Sequence, residues 1–184
     1  MKVALIGVTG RVGLRLTAEL LRRGHTVTGI ARDVSKVEAK PGLHLEAADV
    51  NQGEALAPLL SGHDAVISAS RFVSTNPVQI ISAVKKAGVP RLLVIGGAGS
   101  LEVAPGKMLV DTREFPEAYK PAAFGGIEYL KALRSEKTLD WTFLSPSAEF
   151  EQGSAPKPIG WGAISFSSTT KAAAGYRWKT MPSP

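Results

Sequence analysis

The sequence predicts an α/β domain on a parallel, doubly wound sheet. Two observations predict it: short apolar runs alternate with segments of helical period, and a glycine-punctuated turn follows the first run. Lys2–Ile6 is apolar and continuous rather than alternating, the pattern of a strand buried on both faces. Gly7–Gly13 is the turn. Leu14, Leu16, Leu20 and Leu21 then mark an amphipathic helix that Gly24 can stop. Thr26–Ile30 reads as the second strand and Leu43–Ala47 as a third, at an edge. Glu54–Leu60 reads as a short helix and Asp64–Ser68 as the fourth strand. Val78–Ala87 is a helix ending at Gly88, and Arg91–Ile95 the fifth strand. A loop rich in Gly and Pro covers residues 96–120. Ala122–Lys137 is read as a helix and Trp141–Leu144 as the sixth strand. Strands alternating with helices require crossovers, so the sheet is expected to be parallel and covered on both faces.

Composition bounds the function classes. The chain has 184 residues, 44% hydrophobic and 21% charged, which is ordinary for one globular domain. It has no cysteine, which excludes disulfides and thiolate metal sites. His25, His44 and His63 stand singly, so turns or strand edges suit them better than a metal. No apolar run approaches the roughly 20 residues of a membrane span. Glycines and arginines interrupt the first 30 residues, unlike a signal peptide. A soluble cytoplasmic protein is expected, without membrane contact. The formal charge of +6 suggests nucleic acid only until it is located. Lys157, Lys171, Arg177 and Lys179 lie in residues 154–184 with no acid, so residues 1–153 carry only +2. With no basic–aromatic interleaving, no nucleic-acid partner is expected.

Gly7-Val8-Thr9-Gly10-Arg11-Val12-Gly13 has the spacing GxxGxxG. Glycine is required for steric reasons: the loop turns sharply, lets a pyrophosphate approach the backbone, and lets the next helix pack on its strand. The helix N-terminus offers free N–H groups and the positive dipole end to phosphates. A glycine pattern alone is weak, but this one follows a strand and opens a helix. The motif therefore predicts a Rossmann-type, three-layer α/β/α fold with strand order 3-2-1-4-5-6 and a dinucleotide at the carboxyl ends of the strands. An NAD site would place an acid at the end of the second strand. This chain has Ile30-Ala31-Arg32-Asp33 there. Arg32 is a guanidinium where a 2′-phosphate would sit, and Arg11 can approach from the glycine loop. A planar donor fork suits a dianion, so NADP rather than NAD is the expected cofactor. The alternative is that Arg32 is merely solvated and Asp33 turns inward.

GxTGxxG, a strand ending in Ala-Arg-Asp, and then Ala48-Asp49-Val50 resemble the atypical short-chain dehydrogenases. The nearer resemblance is to their NAD(P)H-binding branch, which holds NADH–flavin reductase-like, NmrA-like and biliverdin/flavin reductase B-type proteins. It continues through Gly62–Ser68, Gly88–Arg91, Gly96–Leu101 and Asp140–Pro146, and covers about residues 1–153. The resemblance implies that Asp49 and Val50 lie by the adenine. It implies that Ser68, Ala69 and Ser70 line the ribose, and that Gly96, Gly97 and Pro146 flank the nicotinamide. One departure matters. Catalytic members of the wider superfamily carry a Tyr four residues before a Lys on one helix. Here Tyr119 directly precedes Lys120 and Tyr129 precedes Lys131 by two, so neither pair stacks on one helix face. Alcohol–ketone chemistry, which needs a placed proton donor, is disfavoured. Hydride transfer to a flavin makes fewer demands. The expected activity is an NADPH-dependent reductase of FMN or a similar planar acceptor. The alternative is a non-catalytic dinucleotide sensor of the NmrA-like type, with a sugar epimerase or dehydratase a distant third. No catalytic side chain can be named.

Residues 154–184 read differently. They hold Trp161, Trp178, four prolines and no acid, and sustain no amphipathic period. The resembling proteins continue here with a Gly-Gly-Asp turn, a strand and a helix. Back-translation in a shifted frame permits that pattern. At three junctions, Trp161–Gly162, Trp178–Lys179 and Met181–Pro182, it forces Gly, Glu and Ala, each in agreement. The tail therefore reads as a one-base frameshift product beginning at Gly153–Ser154, with a diverged C-terminus as the alternative. A frameshifted tail is expected to have little regular structure and to leave an apolar strip beside the sixth strand. Self-association into a homo-oligomer would then follow.

Overall fold

The computed structural model describes residues 1–146. Six strands form one parallel sheet in the order β3-β2-β1-β4-β5-β8, the expected 3-2-1-4-5-6 with a small hairpin intervening in the numbering. The elements run β1 (Lys2–Ile6), α1 (Arg11–Arg22), β2 (Thr26–Ala31), β3 (Leu43–Ala47), α2 (Gly53–Leu60), β4 (Ala65–Ser68), α3 (Pro77–Lys86) and β5 (Arg91–Ile95). There follow β6 (Glu102–Ala104), β7 (Lys107–Met108), α4 (Lys120–Ser135) and β8 (Asp140–Leu144). The first strand is central, pairing with β2 through Ile6 opposite Ile30 and with β4 through Ile6 opposite Ser68. That explains its unbroken apolar run: Ala4, Leu5 and Ile6 are all at most 1% exposed.

Two cores flank the sheet. On one face Leu5, Val8 and Val27 pack with Leu16, Leu20 and Leu21 of α1 and with Val34 and Val37 of the following loop. The other face gathers α2, α3 and α4 around Leu56, Leu60, Ile80, Val84, Leu92, Tyr129 and Leu133. Leu14 is half exposed, so the apolar stripe of α1 runs through the later leucines. His63 sits between layers, its ring nitrogens bonded to the Leu60 carbonyl at 3.0 Å and to Thr28 Oγ1 at 2.8 Å.

The segment 96–120 departs from a plain loop. Pro105-Gly106 turns β6 back onto β7 as an antiparallel hairpin, with Gly106 at φ +74°. Strands of two and three residues carry no readable period. The last helix starts at Lys120 rather than Ala122, because Pro121 fits its first turn, where no N–H is needed. It ends at Ser135 rather than Lys137. There the Glu136 carboxylate accepts from the Thr138 N–H and hydroxyl, both at 2.7 Å, and from Lys85 Nζ at 2.9 Å. These bonds, the backbone N–H of Thr138 first, hold its carboxyl down at about 2. They fix the approach of β8, which pairs with β5 through Ile95 opposite Leu144. Among the described residues β8 is the last strand of the sheet. The structural expectations for residues 154–184, including Trp161 and Trp178, lie outside the described residues. No helix among the described residues is long and apolar enough to cross a membrane.

Candidate functional site

Four parallel strands end together around the Gly7–Gly13 turn. A cleft of about 550 Å³ opens there, lined by the ends of β1, β2 and β4 and the loops that follow β3 and β4. The turn is built tightly. Gly7 has φ +86°, and a Cβ on it would lie 2.6 Å from the Ala69 carbonyl oxygen. A Cβ on Gly13 would lie 2.1 Å from the Gly7 carbonyl oxygen, so this glycine lets α1 sit directly on the turn. Gly10 differs: its nearest neighbour would be the Gly7 oxygen at 3.4 Å, an ordinary contact. The protein itself does not require Gly10 to lack a side chain, so any steric demand there must come from a ligand.

The structure brings Gly7, Thr9, Gly10, Arg32, Asp49, Val50, Ala69 and Ser70 onto this one cleft. Of the other motif residues, Arg11 is exposed and Val12 half-buried in the first turn of α1, and neither lines the cleft. Gly13 lies behind it. Ser68 is buried at the end of β4, with its hydroxyl 3.0 Å from that of Ser70. Gly96 and Gly97 lie beyond the cleft, after β5, and Pro146 follows β8. The Gly96 N–H donates to the Leu144 carbonyl at 2.7 Å and ties the two strand ends together. A Cβ on Gly96 would strike the Phe143 ring at 2.2 Å, so packing alone demands this glycine.

The charged side chains on the cleft are Arg32, Asp33, Asp49 and Arg71. Arg32 lines the cleft and, among the described residues, neither it nor Arg11 is in an ion pair. Asp33 is next to Arg32, but its Oδ1 accepts from the Ser35 N–H at 2.9 Å. Hydrogen bonds from Ser35 hold its carboxyl below the usual range, so it is charged and engaged with its own turn. Asp49 Oδ1 likewise accepts from the Asn51 N–H at 3.0 Å.

Besides strand-end residues, Asp33 and Ala48, the lining includes Arg71, Ser74 and Thr75 from the loop after β4, which the sequence did not single out. The backbone there is pinned, since the Ser74 N–H and the Thr75 hydroxyl both donate to the Arg71 carbonyl, at 3.1 and 2.8 Å. The Phe72 ring anchors the same loop by stacking on Phe143 and meeting Tyr129 edge-on, with centroids 6.2 and 5.8 Å apart. The sequence signal was the basic residue placed directly after Ser70. Its place in the cleft depends on a turn that Phe72 anchors against Phe143 and Tyr129.

Tyr119 and Tyr129 are not placed as acids. Tyr119 is 66% exposed in a short turn before α4, and Tyr129 is fully buried in the core. Among the described residues the Tyr129 hydroxyl has no hydrogen-bond partner. Burial pushes its phenol up, opposed by the nearby Ser68 hydroxyl. Neither phenol lines the cleft. Among the described residues no cluster of His, Asp and Glu could hold a metal.

A glycine turn against a helix N-terminus, at the carboxyl edge of a parallel sheet, defines a dinucleotide-binding α/β protein. Residues 7–168 match the NAD(P)H-binding family, and the chain belongs to it. It is 40% identical over 163 residues to the uncharacterised protein YwnB of Bacillus subtilis, covering 82% of this chain and 74% of that one. Among solved structures it resembles a candidate epimerase from Bacteroides thetaiotaomicron, at 42% identity and TM-score 0.75, covering 80% of this chain and 71% of that one. It also resembles a candidate NADH–flavin reductase from Streptococcus pneumoniae, at 35% identity and TM-score 0.70, covering 85% and 77%. The family implies a nicotinamide cofactor, and the likeness to the candidate NADH–flavin reductase supports an oxidoreductase-like fold.

Proposed function

We propose that the protein is an NADPH-dependent reductase of a flavin or similar planar acceptor. The observation that carries the cofactor choice is the Arg32 guanidinium in the cleft, in no ion pair among the described residues, beside an Asp33 already bonded to Ser35. The residues fit the cofactor's shape as well as its charge. Gly10 leaves open the space that a pyrophosphate would need, and the first turn of α1 points its N–H groups toward it. Bound there, the nicotinamide supplies the hydride. The protein's part is to hold the adenosine end on Asp49 and Val50, the phosphates on the glycine turn and Arg32, and the ribose by Ser70. Gly96, Gly97 and Pro146 lie farther along the strand ends, on the side where the acceptor is expected.

The choice of acceptor follows from the tyrosines. Tyr129 is buried in the core and neither it nor Tyr119 has a lysine four residues on, so an acceptor that takes its proton from water suits the chain better than a ketone does. The expected result is NADPH oxidation with free FMN as acceptor, followed at 340 nm. Tyr119→Phe and Tyr129→Phe should each stay within a few-fold of the parent. General acid catalysis is worth about 10²–10⁴, so a loss of that size in either variant would restore a tyrosine mechanism. Tight NADPH binding without turnover of any planar acceptor would favour the sensor reading instead.

A further inference from the structure

We infer that Asn51 is a latch for the adenosine end of the cleft: a positioning residue that fixes the gap between the loops after β3 and β4. The inference rests on the dinucleotide lying along this cleft as proposed above, and adds a residue outside the glycine motif and the cleft lining.

Asn51 uses its whole amide across the two loops. Its Nδ2 donates to the Ser74 carbonyl at 3.0 Å, and its Oδ1 accepts from the Asn76 N–H at 2.8 Å. The two bonds join segments 23 and 25 residues apart in sequence. Asp49 and Val50 line the cleft on one side of this bridge, and Ser74 and Thr75 line it on the other. The latch is supported at both ends. On its own loop the Asn51 N–H donates to Asp49 Oδ1 at 3.0 Å, so the residue that spans the gap also orients the Asp49 carboxylate. On the far loop Asn76 caps α3, accepting from the Val78 N–H at 3.0 Å. Beneath it Gln79 Oε1 accepts from the Gly53 N–H at 3.3 Å, where α2 begins. The helix starts are thus fastened to each other, and Asn51 carries that fastening to the cleft wall.

The chemistry requires both halves of an amide. Two backbone groups of opposite kind, a carbonyl and an N–H, face one side chain, and only a group with a donor and an acceptor can satisfy both. Asn51 is exposed, so without it both groups can turn to water. The fold then survives on the Gln79 and Phe72 contacts, but the two walls lose their direct tie.

The test compares Asn51→Ala with the parent by calorimetry against three probes: NADPH, ADP-ribose and reduced nicotinamide mononucleotide (NMNH). Gln52→Ala, a change at the exposed neighbouring side chain, is the control. Two partly solvated hydrogen bonds imply that Asn51→Ala raises the Kd of NADPH and of ADP-ribose by the same factor, about three- to thirtyfold. NMNH, titrated to millimolar concentration, should behave alike in parent and variant because it has no adenosine. Gln52→Ala should leave all three unchanged. Unchanged binding of ADP-ribose in Asn51→Ala would overturn the latch. So would an equal loss for NMNH, or the same losses in Gln52→Ala. Failure of the parent to bind either NADPH or ADP-ribose would overturn the cleft assignment itself, a result distinct from the others.

Discussion

Arg32→Ala should weaken NADPH binding roughly ten- to hundredfold and leave NADH almost untouched. Only NADPH carries the 2′-phosphate, and a charged hydrogen bond is worth about 1.5–3 kcal/mol. Arg32 is exposed at the cleft, so the substitution leaves no buried charge behind and should not disturb the fold. The unmodified protein should accordingly prefer NADPH, and raising the salt concentration should narrow the preference, because dissolved ions screen a contact made by an exposed guanidinium. Calorimetric titration of both nucleotides into both proteins checks this. Equal affinities in the parent would show that the guanidinium is solvated, and Asp33 would become the residue to study.

The second large effect separates two glycines of one motif. Gly10→Val should abolish dinucleotide binding while the melting temperature stays near that of the parent. A Cβ there meets only an ordinary 3.4 Å contact within the protein, yet it would fill the space a pyrophosphate needs. Gly13→Ala should do the reverse of what its smaller side chain suggests. Its Cβ would fall 2.1 Å from the Gly7 carbonyl oxygen, so the turn and α1 must separate. Overpacking of this kind costs about 1–3 kcal/mol, and binding should fail along with stability. Thermal melts and NADPH titrations on the two variants check both halves. Retained binding in Gly10→Val would place the phosphates elsewhere.

Much of this was legible in the sequence because local signals agreed with the global fold. The central strand announced itself as an unbroken apolar run, and the edge strand β3 as a mixed one. GxxGxxG after a strand located the cleft, and Arg32 at the end of β2 located its charge. What stayed hidden depends on contacts distant in sequence. The wall formed by Arg71, Ser74 and Thr75 is held by Phe72 against α4 and β8 and by Asn51 from the β3 side, and no periodicity encodes such a meeting. Arg11 follows the cleft-lining Gly10 but is itself exposed in the first turn of α1, outside the lining. The hairpin in residues 96–120 was unreadable because its strands are shorter than a pattern.

Phe72 rests on Gly125 and Gly126, two adjacent glycines inside α4. A Cβ on Gly125 would come within 3.0 Å of the Phe72 backbone oxygen, and one on Gly126 within 3.2 Å of its ring. Helical glycines usually invite replacement, since alanine gains up to about 1 kcal/mol in a helix interior. That recipe for hardening a protein against heat works against this one. Each methyl added to the helix would lift the loop that carries Arg71, so the helix would be strengthened by deforming the cleft it supports. A protein engineer should treat the pair as part of the binding site, although neither residue lines the cleft.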